Sequence, residues 1–522
     1  MKKPLSYDGF NFNFSSFPIL FSTAIFIALW IGLSACDHLS KGRYKFQSES
    51  MHWLQFRGPN SSGIAPEDAN PPVHFSADTN LLWKTEVLPG WSSPCIVDDK
   101  IFLTGFNDSD SLLYTFAIDR EKGEILWKDS VALQTYYYLH PVNSYANPTI
   151  ASNGKMIYSH FPGYGLIAYE LDGGKIWEFQ HAPITVSLAG SSSPLCLDSI
   201  VIINVNGWQD PRILALDGET GDTLWAIRDP EHQSTSAGNA ASPVLWRDLI
   251  IMHQNSEIVA YNIHNRKAEW WLATPTEGVG TPVIQDDMLY VATWCSFGEK
   301  SVRGKDLSFE DLVRDYDKNG NKLIEQEEFP AKLTIYQRPE IPDLPESFMA
   351  IESGRFFAPL DENKDGALNE NEWNVRREVF KSRWVDHGML AFPLHGSDEG
   401  PVTDIQWKIN KDTPETPSPL IVNENVLFIK NGGIMTVINR ESGEVVYKDR
   451  IGAAGAYLSS PMLAGNRVYT CSYNGTVTVL SAEDFNILAH NKLKERIGAS
   501  PVAVDDVLYI RTDKHLFAFR DK

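Results

Sequence analysis

Residues 361–372 read DENKDGALNENE, a spacing that could bind a hard cation. The oxygen donors fall at positions 1, 3, 5, 7 and 12 of this stretch, where the residues are Asp361, Asn363, Asp365, Ala367 (through its carbonyl) and Glu372. Calcium takes six to eight such oxygens from a loop of this kind, which bends at a glycine in position 6. Gly366 occupies that position. The stretch therefore predicts a calcium site.

A second acidic stretch, DYDKNGNKLIEQEEF, lies upstream and allows two registers. A loop that begins at Asp315 ends on Gln326 and lacks the closing carboxylate, whereas a loop that begins at Asp317 ends on a glutamate. In the second register the ligands are Asp317, Asn319, Asn321, Leu323 (through its carbonyl) and Glu328. Lys322 replaces the bend glycine and two ligands are neutral amides, so we expect weaker calcium binding here than at the other loop.

Helical patterns accompany both loops. SFEDLVRDY leads into the first loop and WNVRREVFKSRW leaves the second, with apolar residues at helical spacing. Together, residues 305 to 385 resemble a pair of EF-hands, and the resemblance implies two calcium sites.

Composition restricts the class of protein. The chain has 522 residues, 43% of them hydrophobic, and a formal net charge of -21. Such a composition indicates a globular protein with a large core and argues against a nucleic-acid partner, which demands a basic surface. The five cysteines are too few and too scattered for a disulfide framework.

The N-terminus has the features of an export signal. Lys2 and Lys3 precede an apolar run over residues 17–33, which ends in LSACD. This ending resembles the lipobox of bacterial lipoproteins, which implies a signal peptide over residues 1–35, an acylated Cys36 and a polar tether over residues 36–50. The membrane would then be a partner through the acyl chains. An ordinary signal peptide or an uncleaved anchor is the alternative.

A short unit recurs along the rest of the chain, with a strand opening, two further strands, a glycine turn and a closing aromatic residue. The openings are Ser93-Pro94, Asn147-Pro148, Ser193-Pro194, Ser242-Pro243, Thr281-Pro282, Ser418-Pro419, Ser460-Pro461 and Ser500-Pro501. The closing residues are Trp127, Trp177, Trp225, Trp270, Trp407 and Tyr447. The last unit has three strands, and LLWKTEV at residues 81–87 is a lone strand that could complete it. The pattern predicts an all-β, eight-bladed propeller closed by an N-terminal strand.

These units resemble the PQQ-type propeller repeat, and WLQFRGPNSSG at residues 53–63 resembles the opening segment of PQQ-binding-like β-propeller proteins. The family includes quinoprotein dehydrogenases and BamB lipoproteins of outer-membrane assembly. We expect the propeller over residues 51–295 and 388–522, with the α-helical EF-hand pair (296–387) inserted between the second and third strands of blade 5.

The insertion should project from the face that also carries the links between blades, which we call the mouth face. Other unusual residues fall on the same loops: Tyr136, Tyr137, Tyr138, His140, Tyr145, Trp208 and His232. Aromatic groups with polar neighbours around a concave surface suit a carbohydrate or protein partner. The alternative is that these rings only cap the propeller.

Three functions remain open at this point. The first is a non-enzymatic, membrane-tethered calcium-binding scaffold, on the periplasmic side of the outer membrane. The second is a PQQ-dependent dehydrogenase, which the residues favour less because the chain has no adjacent cysteine pair and no assignable catalytic residue. The third is a BamB-like role in outer-membrane assembly.

Overall fold

The computed structural model describes residues 52–185, 190–207, 210–232, 240–295, 306–338, 340–341, 348–382, 386–394 and 400–522. These residues lie within one compact unit, residues 45–522. The predicted signal peptide, Cys36 and the tether fall outside the described ranges, as does Trp208. Among the helices that are described, none is long and apolar enough to cross a bilayer.

Eight antiparallel sheets, the blades, make up most of the described chain. Strand β1 (Leu81–Glu86) comes first in the chain but belongs to the last blade. Blades 1 and 2 consist of β2 (Cys95–Val97), β3 (Lys100–Asn107), β4 (Leu112–Asp119), β5 (Ile125–Ala132), β6 (Ala151–Ser152), β7 (Met156–Phe161), β8 (Gly165–Glu170) and β9 (Lys175–Gln180). Blades 3 and 4 consist of β10 (Leu195–Leu197), β11 (Ile200–Val205), β12 (Arg212–Asp217), β13 (Thr223–Ile227), β14 (Val244–Trp246), β15 (Leu249–Gln254), β16 (Glu257–Asn262) and β17 (Ala268–Ala273).

Blade 5 begins with β18 (Val283–Gln285) and β19 (Met288–Thr293), after which the chain leaves the propeller. The insertion contains α1 (Phe309–Tyr316), β20 (Ile324–Glu325), β21 (Lys332–Gln337), β22 (Phe348–Glu352), α2 (Ser353–Leu360), β23 (Ala367–Leu368) and α3 (Glu370–Ser382). Blade 5 then resumes with β24 (Gly388–Pro393) and ends with β26 (Trp407–Ile409). Between these two strands, β25 (Gly400–Pro401) pairs in parallel with the outer strand of blade 4.

The last three blades complete the circle. They consist of β27 (Leu420–Val422), β28 (Asn425–Lys430), β29 (Ile434–Asn439), β30 (Val445–Arg450), β31 (Met462–Ala464), β32 (Arg467–Cys471), β33 (Thr476–Ser481), β34 (Ile487–Lys492), β35 (Val502–Val504), β36 (Val507–Arg511) and β37 (His515–Phe519). Strand β1 pairs antiparallel with β37, from Leu81 opposite Phe519 to Glu86 opposite His515. The prediction of an eight-bladed propeller closed by an N-terminal strand is therefore confirmed.

A ring of hydrogen bonds joins all eight blades at the axis. Two residues before each first strand, a buried Ser or Thr donates its backbone N–H to the hydroxyl of the equivalent residue in the next blade, at 2.9–3.0 Å. The members of this hydroxyl ring are Ser93, Thr149, Ser193, Ser242, Thr281, Ser418, Ser460 and Ser500. The predicted opening of blade 2 at Asn147-Pro148 was two residues early, because Thr149 is the ring member there.

The repeated tryptophan and glycine belong to one contact between neighbouring blades. The indole Nε1 of Trp127 donates to the carbonyl of Leu171 in the next blade at 3.0 Å. A Cβ added to Gly173 in that turn would lie 2.8 Å from the same ring, so the close approach requires glycine. The same contact recurs in the pairs Trp83–Gly123, Trp177–Gly221 and Trp407–Gly443.

Residues 53–65, here called the channel segment, fill the axis of the propeller. Trp53 exchanges backbone hydrogen bonds with Ile96 of blade 1, at 2.9 Å each way. The side chain of Asn60 exchanges hydrogen bonds with the backbone of Leu245 in blade 4, at 2.9 Å each way. The backbone of the same segment also pairs with Leu463 of blade 7. A short segment that contacts inner strands on several sides of the circle must cross the central channel.

Candidate functional site

The loop at residues 361–372 is folded by its own carboxylates. The two Asp361 oxygens accept the N–H groups of Asp365 at 3.1 Å and Gly366 at 2.9 Å. The Glu372 oxygens accept the N–H groups of Asn363 at 3.2 Å and Asn369 at 3.0 Å. Both carboxylates are thereby turned toward the inside of the loop.

The loop at residues 317–328 repeats this arrangement. Asp317 accepts the N–H groups of Gly320 at 2.7 Å and Lys322 at 2.9 Å. Glu328 accepts the N–H groups of Lys318 at 2.8 Å and Glu325 at 3.3 Å. The hydrogen bonds follow the register that begins at Asp317, which is the register that ends on a carboxylate.

A short antiparallel ladder joins the two loops. Ile324, at position 8 of the first loop, pairs with Leu368, at position 8 of the second. Both side chains are fully buried in a cluster that includes Phe309, Phe357 and Trp373 from the three helices. The loops therefore lie side by side over a small core of their own.

Two positions in each loop have left-handed backbone, and the loops fill them in opposite ways. Position 4 is Gly320 in the first loop and Lys364 in the second, whereas position 6 is Lys322 in the first and Gly366 in the second, with φ between 60° and 87° at all four. Left-handed backbone at a lysine is disfavoured, so each loop contains one strained residue. Each loop thus has one lysine with a strained, left-handed backbone, at position 6 in the first loop and at position 4 in the second.

Sequence reasoning missed Glu325, at position 9 of the first loop. Its carboxylate accepts the side-chain N–H groups of Asn319 at 3.2 Å and Asn321 at 2.6 Å. These are the two neutral residues that made the first loop look weak. Hydrogen bonding to Glu328, Asn321 and Asn319 lowers the pKa of Glu325. The equivalent residue in the second loop, Asn369, instead caps α3 by accepting the N–H of Glu372 at 3.1 Å.

The donor set of both loops suits calcium. Every named side-chain donor is a carboxylate or amide oxygen, which a hard cation prefers. Over the described ranges, no three His, Cys, Asp or Glu side chains converge on one point as metal ligands do. The loop carboxylates are instead held by backbone N–H groups, which leaves their oxygens ordered inside each loop.

The tyrosines of the first interblade link form a cluster on blade 1. Tyr145 packs against Phe106 with ring centroids 4.8 Å apart and against Tyr137 at 5.1 Å. Tyr136 and Tyr138 are 54% and 73% exposed, so the cluster presents two free ring faces to solvent. His140, on the same link, is only partly buried.

His232 belongs to a different part of the mouth face. Its Nδ1 lies 3.0 Å from a carboxylate oxygen of Glu257, and its ring packs on Trp271 with centroids 4.6 Å apart. Both neighbours are on blade 4. In the described ranges, no ring contact joins His232 to the tyrosine cluster. The ring contacts of His232 and those of the tyrosine cluster thus involve different blades, blade 4 and blade 1.

The insertion itself reaches across the mouth face, which the sequence did not predict. Arg338, at the end of β21, is 3% exposed and forms a two-point ion pair with Glu415 in the link between blades 5 and 6. Its guanidinium also lies 5.1 Å from the Trp294 ring. The side-chain amide of Asn431 also donates to the Glu415 carboxylate, at 2.7 Å.

A second contact extends further around the circle. Ile341 is 2% exposed and packs in one cluster with Ala456, Tyr473 and Trp91. Ala456 lies in the link between blades 6 and 7, Tyr473 in blade 7, and Trp91 in the link between blades 8 and 1. The segment around residues 338–341, which we call the cap, thus connects the blade that bears the insertion with the opposite side of the mouth.

Comparisons with solved structures identify the fold class. The chain is similar to BamB from Moraxella catarrhalis (13% identity, 84% of this chain and 98% of that chain, TM-score 0.49), to a europium-containing methanol dehydrogenase (12%, 91% and 91%, TM-score 0.51) and to the computationally designed Ika8 protein (9%, 84% and 99%, TM-score 0.50). At these identities the likeness concerns the propeller alone. No curated protein matches this sequence.

The structure defines an eight-bladed β-propeller. Within that class, the family model described as outer membrane protein assembly factor BamB matches residues 73–299 and 403–522, which is about two thirds of the chain. The chain belongs to this family. The unmatched stretch between these ranges contains the paired loops and the cap.

Proposed function

We propose that this chain is a non-enzymatic propeller scaffold of the bacterial cell envelope, tethered by an acylated Cys36, whose inserted loops bind two calcium ions. The observation that carries the proposal is the pairing of Ile324 with Leu368 between two loops whose closing glutamates already turn inward. A calcium ion bound there would neutralise part of the acidic charge of each loop, which comes from Asp317, Glu325 and Glu328 in one and from Asp361, Asp365 and Glu372 in the other.

The contacts of the cap connect the loops with the mouth face. The first loop leads directly into β21, and the second is entered from α2, which follows β22 without a break. The hairpin of β21 and β22 ends in the cap, where Arg338 and Ile341 are buried against the propeller. Ordering the loops would therefore order the base of the hairpin. We propose that calcium stabilises the cap over the mouth and so controls which surface a protein or carbohydrate partner meets.

Calcium titration of the full-length protein by calorimetry tests this proposal. We expect two binding events, of which Glu372→Gln removes one and Glu328→Gln removes the other. Glu327→Gln and Glu370→Gln are matched controls, because both glutamates are exposed neighbours in the same loops and should leave both events intact. Hydrogen exchange in β21 and β22 should slow when calcium is added. Absence of any calcium event in the wild-type protein would refute the proposal.

The enzymatic alternative has its own readout. A PQQ-dependent dehydrogenase would show dye-linked oxidation of alcohols or sugars when the quinone and calcium are added to the purified protein. We expect no turnover across such a panel. Turnover that requires the quinone would refute the non-enzymatic scaffold and support the dehydrogenase.

Membership of the BamB family favours a second candidate function, a role in outer-membrane protein assembly. On that reading, deletion of the gene should lower the abundance of outer-membrane β-barrels. A variant that lacks only residues 300–386, which lie between β19 and β24 in the stretch that the family model does not match, separates the two candidates because it keeps every strand of blade 5. If assembly depends on the propeller alone, expression of this shortened protein in the strain that lacks the gene should restore normal levels of the outer-membrane β-barrels.

A further inference from the structure

Arg57 carries a buried charge that has no carboxylate partner within the described ranges. The residue is 1% exposed in the middle of the channel segment. Its Nη2 donates to the carbonyls of Pro419 at 2.8 Å and Ser62 at 3.3 Å. Nε and Nη1, which bear three of the five guanidinium protons, have no acceptor among the described residues. Burial alone lowers the pKa of Arg57 to about 9, and no carboxylate opposes this effect.

The guanidinium lies next to the hydroxyl ring. Pro419, whose carbonyl it contacts, directly follows the ring member Ser418. A Cβ added to Gly63 would lie 2.4 Å from Arg57 Nη2 and 3.1 Å from the carbonyl of Pro461, which follows the ring member Ser460. The contacts of the charge are thus backbone carbonyls, one of them from the residue that directly follows a member of the hydroxyl ring.

A second buried arginine in this fold has hydrogen-bond acceptors for most of its guanidinium protons. Arg511 is also fully buried, but its guanidinium donates to three backbone carbonyls and to a hydroxyl, those of Leu88, Ser92 and Thr104. Only its Nε lacks an acceptor in the described structure. The contrast matters because an isolated buried charge is far more costly than one surrounded by hydrogen-bond partners.

We propose that the central channel binds one small anion at Arg57. The anion would accept the unpaired Nε and Nη1 protons and neutralise the guanidinium where no carboxylate does so. Because Arg57, Ser418 and Ser460 are at most 3% exposed, the site excludes macromolecules and admits only ions of the size of chloride, formate or phosphate. Such an ion would be a structural component of the propeller, independent of the calcium loops.

The test is thermal unfolding of the full-length protein in chelator, at constant ionic strength, as chloride, formate or phosphate replaces the bulkier gluconate. At least one of the small anions should raise the melting temperature in a saturable way, by about 1–3 °C. Calorimetry with that anion should give one site per chain. A wild-type protein that responds identically to all four anions would refute the site, and the channel donors would then be served by water only.

Variants of Arg57 test whether this residue is responsible for the effect of the anion on the melting temperature. Arg57→Gln should abolish the dependence on the small anion, Arg57→Lys should weaken it, and the matched control Arg511→Lys should keep it whatever its own melting temperature. If Arg57→Gln does not fold, the comparison of Arg57→Lys with the wild-type titration tests the proposal instead. An undiminished anion effect in either Arg57 variant would place the ion elsewhere and overturn the proposal.

Discussion

At the residue scale, the loop at residues 317–328 is richer in charge than its predicted ligand positions suggest. Glu325 supplies a carboxylate beside Asn319 and Asn321, so the first loop has an acidic residue at positions 1, 9 and 12. The spacing rule includes position 9, but the residues named from the sequence were only those at positions 1, 3, 5, 7 and 12. The signal that could have found Glu325 was the coincidence of an acid at position 9 with amides at positions 3 and 5.

This arrangement predicts the effect of Glu325→Gln. We expect about a tenfold loss of calcium affinity at the first loop and no change at the second, because one ligand charge disappears. Calorimetric titration measures both sites at once. Asn369→Gln, which alters the same position in the second loop without a change of charge, is the control. Equal affinity of Glu325→Gln and wild type at the first loop would show that Glu325 does not act on the ion.

Three buried histidines make stability sensitive to mild acid. Burial lowers the pKa of His160 to about 3 and the pKa values of His181 and His253 to about 4. The unfolded chain protonates these groups near pH 6.5. Between pH 6.5 and 4.5 the unfolded state therefore takes up protons that the folded state does not, and stability must fall as the pH falls.

We expect each of these histidines to reduce the free energy of unfolding by about 2 kcal/mol between pH 7 and pH 5. Urea unfolding in chelator at the two pH values measures the difference. His253→Gln should shrink it by about one third, whereas His264→Gln, an exposed control, should leave it unchanged. An unaltered pH difference in His253→Gln would mean that His253 is not neutral in the folded protein.

At the element scale, the contact between blades depends on a pairing of residue sizes. Where the turn residue is glycine, the neighbouring blade supplies a tryptophan, as in Trp127 and Gly173. Blade 7 has Phe485 at this turn, with φ of 60°, and the facing residue in blade 6 is the smaller Tyr447, with ring centroids 5.9 Å apart. The substitution of Trp by Tyr that the repeat shows at blade 6 thus compensates for a larger turn residue.

The missing aromatic residue of blade 7 has a similar explanation. Ala489 occupies its place in the ladder, opposite Val479. Blade 8 has no turn between its third and fourth strands, because its fourth strand is β1, so no turn carbonyl is available for an indole. The approach to β1 fills this region instead, with Phe75 buried 4.6 Å from Phe519 and its N–H bonded to Asn491 at 2.9 Å.

Arg266 is an exception to this pairing of residue sizes, and it allows the strain of the left-handed turn to be measured. It occupies the turn that faces Trp225, donates its N–H to Asn262 at 2.8 Å as the glycines do in their turns, and has φ of 66°. Glycine adopts this conformation without strain, so Arg266→Gly should raise the free energy of unfolding by about 1 kcal/mol. Urea unfolding measures it. Lys267→Gly, one residue further on, is the control and should destabilise the protein, since Lys267 has no left-handed backbone to relieve.

The fold was predictable because its signal repeats. The eight openings indicated the number of blades, although at blade 2 the proline precedes the ring member Thr149 instead of following it. The closing residue is less regular, because blade 6 has Tyr447 and blade 7 has Ala489. The site was predictable only where residues act within one loop, as in residues 361–372. The cap and the channel segment could not be predicted, because their contacts join residues that are distant in the chain and follow no period, as Arg338 with Glu415 and Asn60 with Leu245 illustrate.

At the scale of the whole molecule, the hydroxyl ring provides one hydrogen bond per blade at the axis. Ser193→Ala should reduce the free energy of unfolding by about 1–3 kcal/mol, because the buried N–H of Thr149 loses its only acceptor in the described structure. Ser192→Ala is a close control, since Ser192 is equally buried but its hydroxyl lies outside the ring. Equal loss in both variants, measured by urea unfolding, would show that the ring hydroxyl is dispensable.

The closure of the propeller also sets an order of events during synthesis. Strand β1 and the channel segment are made before the blades, yet about four hundred residues separate them from their partners in blades 7 and 8. At about 5–20 residues per second, roughly 20–90 seconds elapse before β37 exists to receive β1. For that interval the apolar β1 and the charge of Arg57 remain without their final surroundings. The nascent chain therefore has a prolonged period in which a chaperone that binds extended apolar segments would find its target near the leading end.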